Sequence, residues 1–147
     1  MHMSERVILL VEDNPDDEAL TLRALSKNNI ANQVIVARDG AEALDYLFGT
    51  GTHDGRNVNH QPQLILLDLK LPKIDGLEVL KRLRMDNRTK HVPVVVLTSS
   101  MEQRDIVACY DDGANSYIRK PVDFEEFLKA VNQLGMYWLL MNVVPEE

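Results

Sequence analysis

Five short apolar runs divide this chain, and they constrain its fold more than any other feature. Most of them are nearly continuous rather than alternating, which is typical of strands that are covered on both faces. The predicted strands are VILLV (7–11), VIVA (34–37), LILL (64–67), VPVVVL (92–97) and the weaker SYIR (116–119).

Each run is followed by a segment with helical spacing. In the first such segment, Ala19, Leu22 and Leu25 recur every three positions, and acidic residues occupy the first turn. Strands that alternate with helices in this way predict an α/β fold, a doubly wound parallel sheet with helices on both faces and right-handed crossovers. The predicted helices cover residues 16–28, 40–49, 76–86, 102–113 and 123–141.

The length of 147 residues fits one ordinary domain. The chain shows no internal repeat. Its one polar, glycine-rich stretch, residues 49–63, is predicted to be a mobile surface loop that is too short to separate two domains. We therefore predict a single domain over residues 1–147, with a core of about 5–135 and an apolar C-terminal helical extension of about 136–147.

Composition excludes several classes of function. The net charge of −7 argues against broad binding to nucleic acid or to anionic membranes, because both need a cationic face. No apolar run approaches the roughly 18 residues of a membrane span. The single cysteine, Cys109, allows no disulfide within the chain and fits a reducing compartment. We predict a cytoplasmic protein with neither nucleic-acid nor membrane partners.

The residues that follow the apolar runs are polar, and they are the candidates for a functional site. The carboxyl ends of parallel strands meet at one edge of a sheet, where ligands bind in doubly wound folds. We therefore expect these side chains to lie close together although they come from four places in the sequence. They are Glu12, Asp13, Asp68, Thr98 and Lys120.

Three carboxylates at one edge need positive charge nearby. At about 4 Å and an effective dielectric near 20, each pair repels by on the order of 4 kcal/mol before relaxation. Lys120 supplies one positive charge, and a divalent cation would supply two more. Carboxylates and water are the ligands that Mg²⁺ prefers, particularly beside a phosphoryl group. The alternative for Glu12 and Asp13 is a plain acidic cluster at the start of a helix.

Four motifs in a fixed order carry a resemblance to a known family. They are VEDNPDD, LLDLKLPKIDG, VVVLTSS and YIRKP, and each lies at the end of a predicted strand. Together they resemble the response-regulator receiver domains of two-component signalling over almost the full length of the domain. The resemblance implies a flavodoxin-like (βα)5 sheet with the strand order 2-1-3-4-5.

The resemblance also implies a role for each site residue. Asp68 would accept a phosphoryl group from a histidine kinase, so that the protein would be a switch rather than an enzyme, with self-phosphorylation from small phosphodonors and slow self-dephosphorylation only. The implied ligands of Mg²⁺ are Asp13, Asp68, the backbone carbonyl of Lys70 and, through a water, Glu12. The implied phosphoryl contacts and switch residues are Lys120, which precedes a cis bond to Pro121, the hydroxyl of Thr98 and the ring of Tyr117.

A narrower resemblance concerns the kinase partner. The motifs ALDYLFG and LDLKLPKIDGLEVL, the long polar loop and the apolar tail are similar to the stand-alone regulators that are paired with cyanobacterial phytochromes. This resemblance implies a phytochrome histidine kinase as the partner and no output domain after the receiver domain.

The segment MYWLLMNVV, residues 136–144, is apolar on nearly every side, whereas a helix that packs on one face should show a polar stripe. It either buries extra surface on its own domain or forms the seam of a homodimer, since aromatic residues and methionine are enriched at such cores. The candidate seam residues are Tyr137, Trp138, Leu140 and Met141.

Three other functions remain as alternatives. An aspartyl-phosphate hydrolase of the haloacid-dehalogenase kind usually has a second Asp as general acid two residues after the nucleophile, but Lys70 occupies that position. A flavodoxin-like nucleotide binder should have a neutral, glycine-rich first loop instead of EDNPDDE. A receiver-like scaffold that is not phosphorylated would not need every reactive position to be filled. The basic residues Arg82, Arg84 and Arg88 are expected on a solvated face.

Overall fold

A computed structural model of the chain describes residues 7–27, 33–99 and 102–141. Five parallel strands form one sheet in the order β2-β1-β3-β4-β5, which confirms the predicted fold and strand order. Within the described ranges, no helix is both long and apolar enough to cross a bilayer. The strands are β1 (Val7–Val11), β2 (Gln33–Ala37), β3 (Leu64–Asp68), β4 (Val94–Thr98) and β5 (Ser116–Arg119).

Helices cover both faces of the sheet. A helix follows every strand, and one more short helix comes at the end of the described chain. They are α1 (Pro15–Lys27), α2 (Gly40–Phe48), α3 (Gly76–Met85), α4 (Gln103–Asp111), α5 (Phe124–Gln133) and α6 (Tyr137–Met141), with a single 3-10 turn at Gly51–His53.

The core has two halves, one on each face of the sheet. On one face, strand residues such as Leu9 and Leu67 pack with residues of α2, α3 and α4. On the other face, Leu10 and Leu66 pack with residues of α1, α5 and α6, including Phe127. Every residue of β3 and β4 is buried, which explains why these strands read as continuous apolar runs.

The last predicted helix, 123–141, is two helices in the structure. α5 ends at Gln133, and Gly135 adopts the left-handed conformation with φ 72°, which closes the helix before α6 begins. Leu140 is fully buried in the core of its own chain. The prediction that Leu140 meets a second chain is therefore wrong, because its surface is already covered.

The other candidate seam residues differ in position. Tyr137 is partly buried against the same half of the core. The side chains of Trp138 and Met141 lie outside the part of the chain that the structure describes. Leu139, which the sequence did not single out, is 51% exposed.

The stretch 49–63 is anchored to α2 by Arg56, and its mobility stays a prediction. The guanidinium of Arg56 donates to the backbone carbonyls of Tyr46 and Leu47 at the end of α2, and to that of His60 at 2.7 Å. It also lies over the Tyr46 ring, 4.0 Å from the centroid. One arginine thus ties this stretch to the end of α2.

Arg84 also departs from its expected solvated position. Its guanidinium donates to the carbonyls of Val92, Gly113 and Lys90 and to the side-chain oxygen of Asn115, at 2.7 to 3.1 Å. Partial burial lowers the pKa of Arg84 from its usual value. The side chain therefore joins the chain segments on either side of β4.

Candidate functional site

Two acids, Glu12 and Asp13, follow β1 directly, and their side chains differ in burial. The backbone N–H of Glu12 donates to the Ala37 carbonyl at 2.9 Å, which continues the pairing of β1 with β2. The Glu12 side chain is fully buried, whereas Asp13 is exposed at the rim. One acid therefore lies beneath the site and the other at its opening.

Asp68 is the last residue of β3 and is 4% exposed. The backbone N–H of Lys70 donates to its Oδ1 at 3.3 Å. The chain then turns back so closely that a Cβ on Gly76 would collide with the backbone carbonyl of Asp68. Glycine at this position lets α3 start against the end of β3, which holds the carboxylate at the edge of the sheet.

The ammonium of Lys120 lies at the centre of the site. Its Nζ is 2.7 Å from Glu12 Oε1, 2.9 Å from Asp17 Oδ2 and 3.1 Å from Asp68 Oδ2. The Lys120 backbone N–H donates to the Thr98 carbonyl at 2.8 Å, which anchors the residue to β4. The bond from Lys120 to Pro121 is cis, as the resemblance implied.

Asp17 is a member of the site that the sequence did not reveal. It lies in the first turn of α1, where acids are common because they favour the helix N-terminus. Asn14 places it there, because Asn14 Oδ1 accepts from the N–H groups of Asp16 at 2.8 Å and Asp17 at 3.1 Å. The N–H of Asn14 in turn donates to Glu12 Oε2 at 3.2 Å.

The electrostatics of the site follow from burial and from the shared lysine. Burial raises the pKa of Glu12 to about 7; Lys120 opposes this increase, and the nearby charge of Asp68 adds to it. For Lys120, burial disfavours the charge, but its close contacts with the carboxylates of Glu12, Asp17 and Asp68 outweigh burial, so its pKa is raised. The lysine therefore stays charged at neutral pH.

The acids fit a divalent cation. Carboxylate oxygens of Glu12, Asp13 and Asp68 lie within 4.8 Å of one another, close enough for one ion to contact all three. Glu12 Oε1 is buried and pairs with the Lys120 charge, but no donor is aligned with it as a hydrogen bond. An all-oxygen cluster with spare acceptor capacity is the environment that Mg²⁺ and Mn²⁺ prefer.

The two predicted switch residues lie on the neighbouring strands. Thr98 ends β4, is fully buried, and lies opposite Arg119 of β5 in the sheet register. Tyr117 is partly buried and packs against the half of the core formed with α2, α3 and α4. The sheet thus brings Thr98 to the same edge as Asp68 and places Tyr117 behind it in β5; their roles as switch residues stay a prediction.

Comparison with known proteins agrees with this site. A family described as the response regulator receiver domain matches residues 8–132. Among curated relatives, the chain is 40% identical over 139 residues to the "Probable methanogenesis regulatory protein FilR2" of Methanothrix harundinacea, covering 95% of this chain and 87% of the relative. It is 37% identical over 140 residues to response regulator Rcp1 of Synechocystis sp., covering 95% of this chain and 93% of Rcp1.

Solved structures give the same result. The bacteriophytochrome response regulator AtBRR is 50% identical, with a TM-score of 0.82 over 98% of this chain and 100% of that chain. The Mn²⁺-bound form of Rcp1 superposes with a TM-score of 0.76 over 96% of this chain and 99% of that one.

Proposed function

Because this chain belongs to the response regulator receiver domain family, we propose that it is a phosphoacceptor switch in which Asp68 receives a phosphoryl group from a histidine kinase. The observation that carries the proposal is the placement of the Asp68 carboxylate, which lies at the sheet edge with Lys120 Nζ 3.1 Å away. A carboxylate in this position can attack the phosphorus atom of a phosphohistidine and form an acyl phosphate. The phosphorus–nitrogen bond breaks, and its electron pair leaves with the imidazole of the kinase.

The neighbouring residues supply positioning and charge. Phosphoryl transfer depends mainly on alignment and on neutralising the charge of the transferred group. Lys120 is charged at neutral pH, and its Nζ lies close enough to Asp68 to contact a phosphoryl oxygen there. The residues that would hold Mg²⁺ are Asp13 and Asp68, the backbone carbonyl of Lys70 and, through a water, Glu12; the bound ion would neutralise phosphoryl oxygens.

The switch would use the hydroxyl of Thr98 and the ring of Tyr117. A phosphoryl group adds negative charge and strong acceptor oxygens at one point. A nearby hydroxyl can move toward these oxygens and donate a hydrogen bond to one of them. Thr98, at the end of β4, would donate to the phosphoryl group, and Tyr117 would then move inward. The enzymatic alternative is not favoured, since Lys70 stands where a phosphohydrolase needs its general acid.

The test is uptake of a phosphoryl group from acetyl phosphate with Mg²⁺, followed by intact mass. We expect a gain of one phosphoryl group in the parent and none in Asp68→Ala. Asp54→Ala, in the stretch after α2, is the matched control and should be phosphorylated as the parent is. Phosphorylation of Asp68→Ala, or sustained turnover of a phosphomonoester by the parent, would contradict the proposal.

We further propose that the kinase is a phytochrome. The support is the 50% identity to AtBRR, which is described as a bacteriophytochrome response regulator. The sequence resemblance pointed to cyanobacterial phytochromes, and we propose phytochrome kinases as a class. Transfer from a phosphorylated phytochrome kinase to Asp68 should be much faster than transfer from an unrelated histidine kinase; equal rates would contradict this pairing.

We also propose that the chain forms a homodimer through its C-terminal segment. The support is Leu139 of α6, a large apolar side chain that is 51% exposed and lies within the apolar run 136–144. Of the candidate seam residues, Tyr137, Trp138 and Met141 stay part of this proposal, and Leu140 does not. A Trp138→Ala variant that sediments as the parent does would count against it.

A further inference from the structure

The Lys120 ammonium is crowded by acids in this structure: it donates hydrogen bonds to Asp17 and Asp68 and forms an ion pair with Glu12. An ammonium group offers three N–H bonds. Three carboxylates surround it, with oxygens of Glu12, Asp17 and Asp68 between 2.7 and 3.1 Å from Nζ. An oxygen of a phosphoryl group on Asp68, which Lys120 has to hold in the proposed function, therefore competes with these carboxylates for the ammonium.

The three contacts differ in how easily they can break. The side chain of Glu12 is fully buried and that of Asp68 is 5% exposed, so neither can exchange the lysine for water. The side chain of Asp17 is 30% exposed and can be hydrated when it loses the lysine. The contact to Asp17 is therefore the one that costs least to break.

Asp17 is also held in place independently of the lysine. Its backbone N–H is fixed by Asn14 Oδ1 in the first turn of α1. The α1 turn thus keeps a third carboxylate beside the ammonium, and its charge adds to the repulsion that an incoming phosphodonor anion meets at the site.

We propose that Asp17 is a positioning residue that retains Lys120 in the non-phosphorylated site and restrains phosphorylation of Asp68. This inference rests on the proposed function. Asp17 acts on the site through Lys120, by competing for the lysine ammonium. Removal of its charge should weaken its hold on Lys120 and leave the ammonium more available to the phosphoryl group.

The test compares Asp17→Asn with Asp16→Asn in the full chain. Both changes remove one negative charge from the same turn, but Asp16 is exposed and only Asp17 contacts Lys120. At saturating acetyl phosphate and Mg²⁺, we expect Asp17→Asn to be phosphorylated about fivefold faster than the parent, as for loss of one partly exposed ion pair. Asp16→Asn should stay within about twofold of the parent on the same scale.

A second measurement follows the lysine itself. In protein labelled with ¹⁵N-lysine and without phosphodonor, the Lys120 ammonium should exchange its protons with water faster in Asp17→Asn than in the parent or in Asp16→Asn. Loss of the signal in Lys120→Arg assigns it. This readout depends on the contact and not on the chemistry of Asp68.

The outcomes separate the inference from the function on which it rests. A parent that is phosphorylated, with Asp17→Asn no faster than Asp16→Asn or with an unchanged Lys120 signal, would overturn the inference alone. A parent that takes up no phosphoryl group would overturn the proposed function and this inference with it. Faster phosphorylation together with faster ammonium exchange, both confined to Asp17→Asn, supports the role of Asp17.

Discussion

Burial of the Glu12 carboxyl makes the stability of the fold depend on pH. Its pKa is about 7 in the folded chain and 4.5 as the ordinary value. The folded state therefore binds this proton more tightly than the unfolded state, so the free energy of unfolding falls as pH rises from about 4.5 to about 7. The pKa difference between the folded and unfolded states sets the upper limit of this decrease. The free energy of unfolding falls by at most on the order of 3 kcal/mol.

Urea unfolding of metal-free protein between pH 5 and pH 8, about the range of the Glu12 titration, measures this loss. The control is Glu12→Gln, which imitates the protonated acid. It should remove most of the decrease in the free energy of unfolding, and the other carboxylates account for what is left. Identical pH dependence in the parent and in Glu12→Gln would contradict the prediction.

Arg84 is predicted to stabilise the fold although it has no place in the chemistry. Its replacement by alanine would leave the carbonyls of Val92 and Gly113 without their donor in a partly buried setting. We expect Arg84→Ala to lower the free energy of unfolding by about 2–4 kcal/mol. Arg82→Ala, which removes an exposed pair with Glu78, should cost less than about 1 kcal/mol in the same urea titration. Equal losses in the two variants would show that the Arg84 hydrogen bonds add nothing.

Among the elements, the stretch between α2 and β3 is predicted to be held in its conformation by one side chain, that of Arg56. Arg56 donates to four backbone carbonyls through a planar fork that lysine cannot reproduce. We expect Arg56→Lys to speed amide hydrogen exchange across residues 51–60 by about tenfold, with little change in β1 or β3. The matched control is Arg38→Lys, at an exposed pair with Glu18, which should leave that stretch unchanged. A similar increase in both variants would contradict the anchoring role.

The strands could be predicted from the sequence because burial on both faces leaves a continuous apolar run. VILLV and SYIR match β1 and β5 residue for residue. The last helix could not be predicted as two, because its apolar stripe runs past Gly135 and only the backbone conformation there shows the break. Periodicity reports which face is buried and not whether the helix axis continues.

The residues of the functional site that lie at the ends of strands could be predicted from the sequence. Glu12, Asp68, Thr98 and Lys120 follow or end strands, so the parallel sheet alone brings them to one edge. Asp17 is different, since it is one turn into a helix and resembles any acid at a helix start. The anchoring roles of Arg56 and Arg84 were not predicted for a related reason. Most of their partners are backbone carbonyls, which every residue has, so the sequence does not identify them.

At the scale of the whole molecule, the sheet edge and the C-terminal segment lie in different parts of one core. Leu140 of α6 lies in the same half of the core as Ile8 and Leu10 of β1, and β1 leads directly into Glu12. A change at the acidic edge and a change in how α6 packs therefore involve the same strand. Any coupling of phosphorylation to dimerisation would be reciprocal and is typically about 1–3 kcal/mol.

Dimerisation itself is predicted to depend on the exposed side of α6. Leu139→Glu places a charge on the apolar surface proposed to meet a second chain, and we expect it to weaken association at least tenfold, since burying an unpaired charge is costly. Leu20→Glu is the matched control, because Leu20 is 46% exposed on α1 and Leu139 is 51% exposed on α6. Sedimentation velocity over a concentration series measures both. A parent that stays monomeric throughout, or a Leu139→Glu variant that associates as the parent does, would contradict a seam at α6, because an interface through this helix cannot leave its exposed leucine in water.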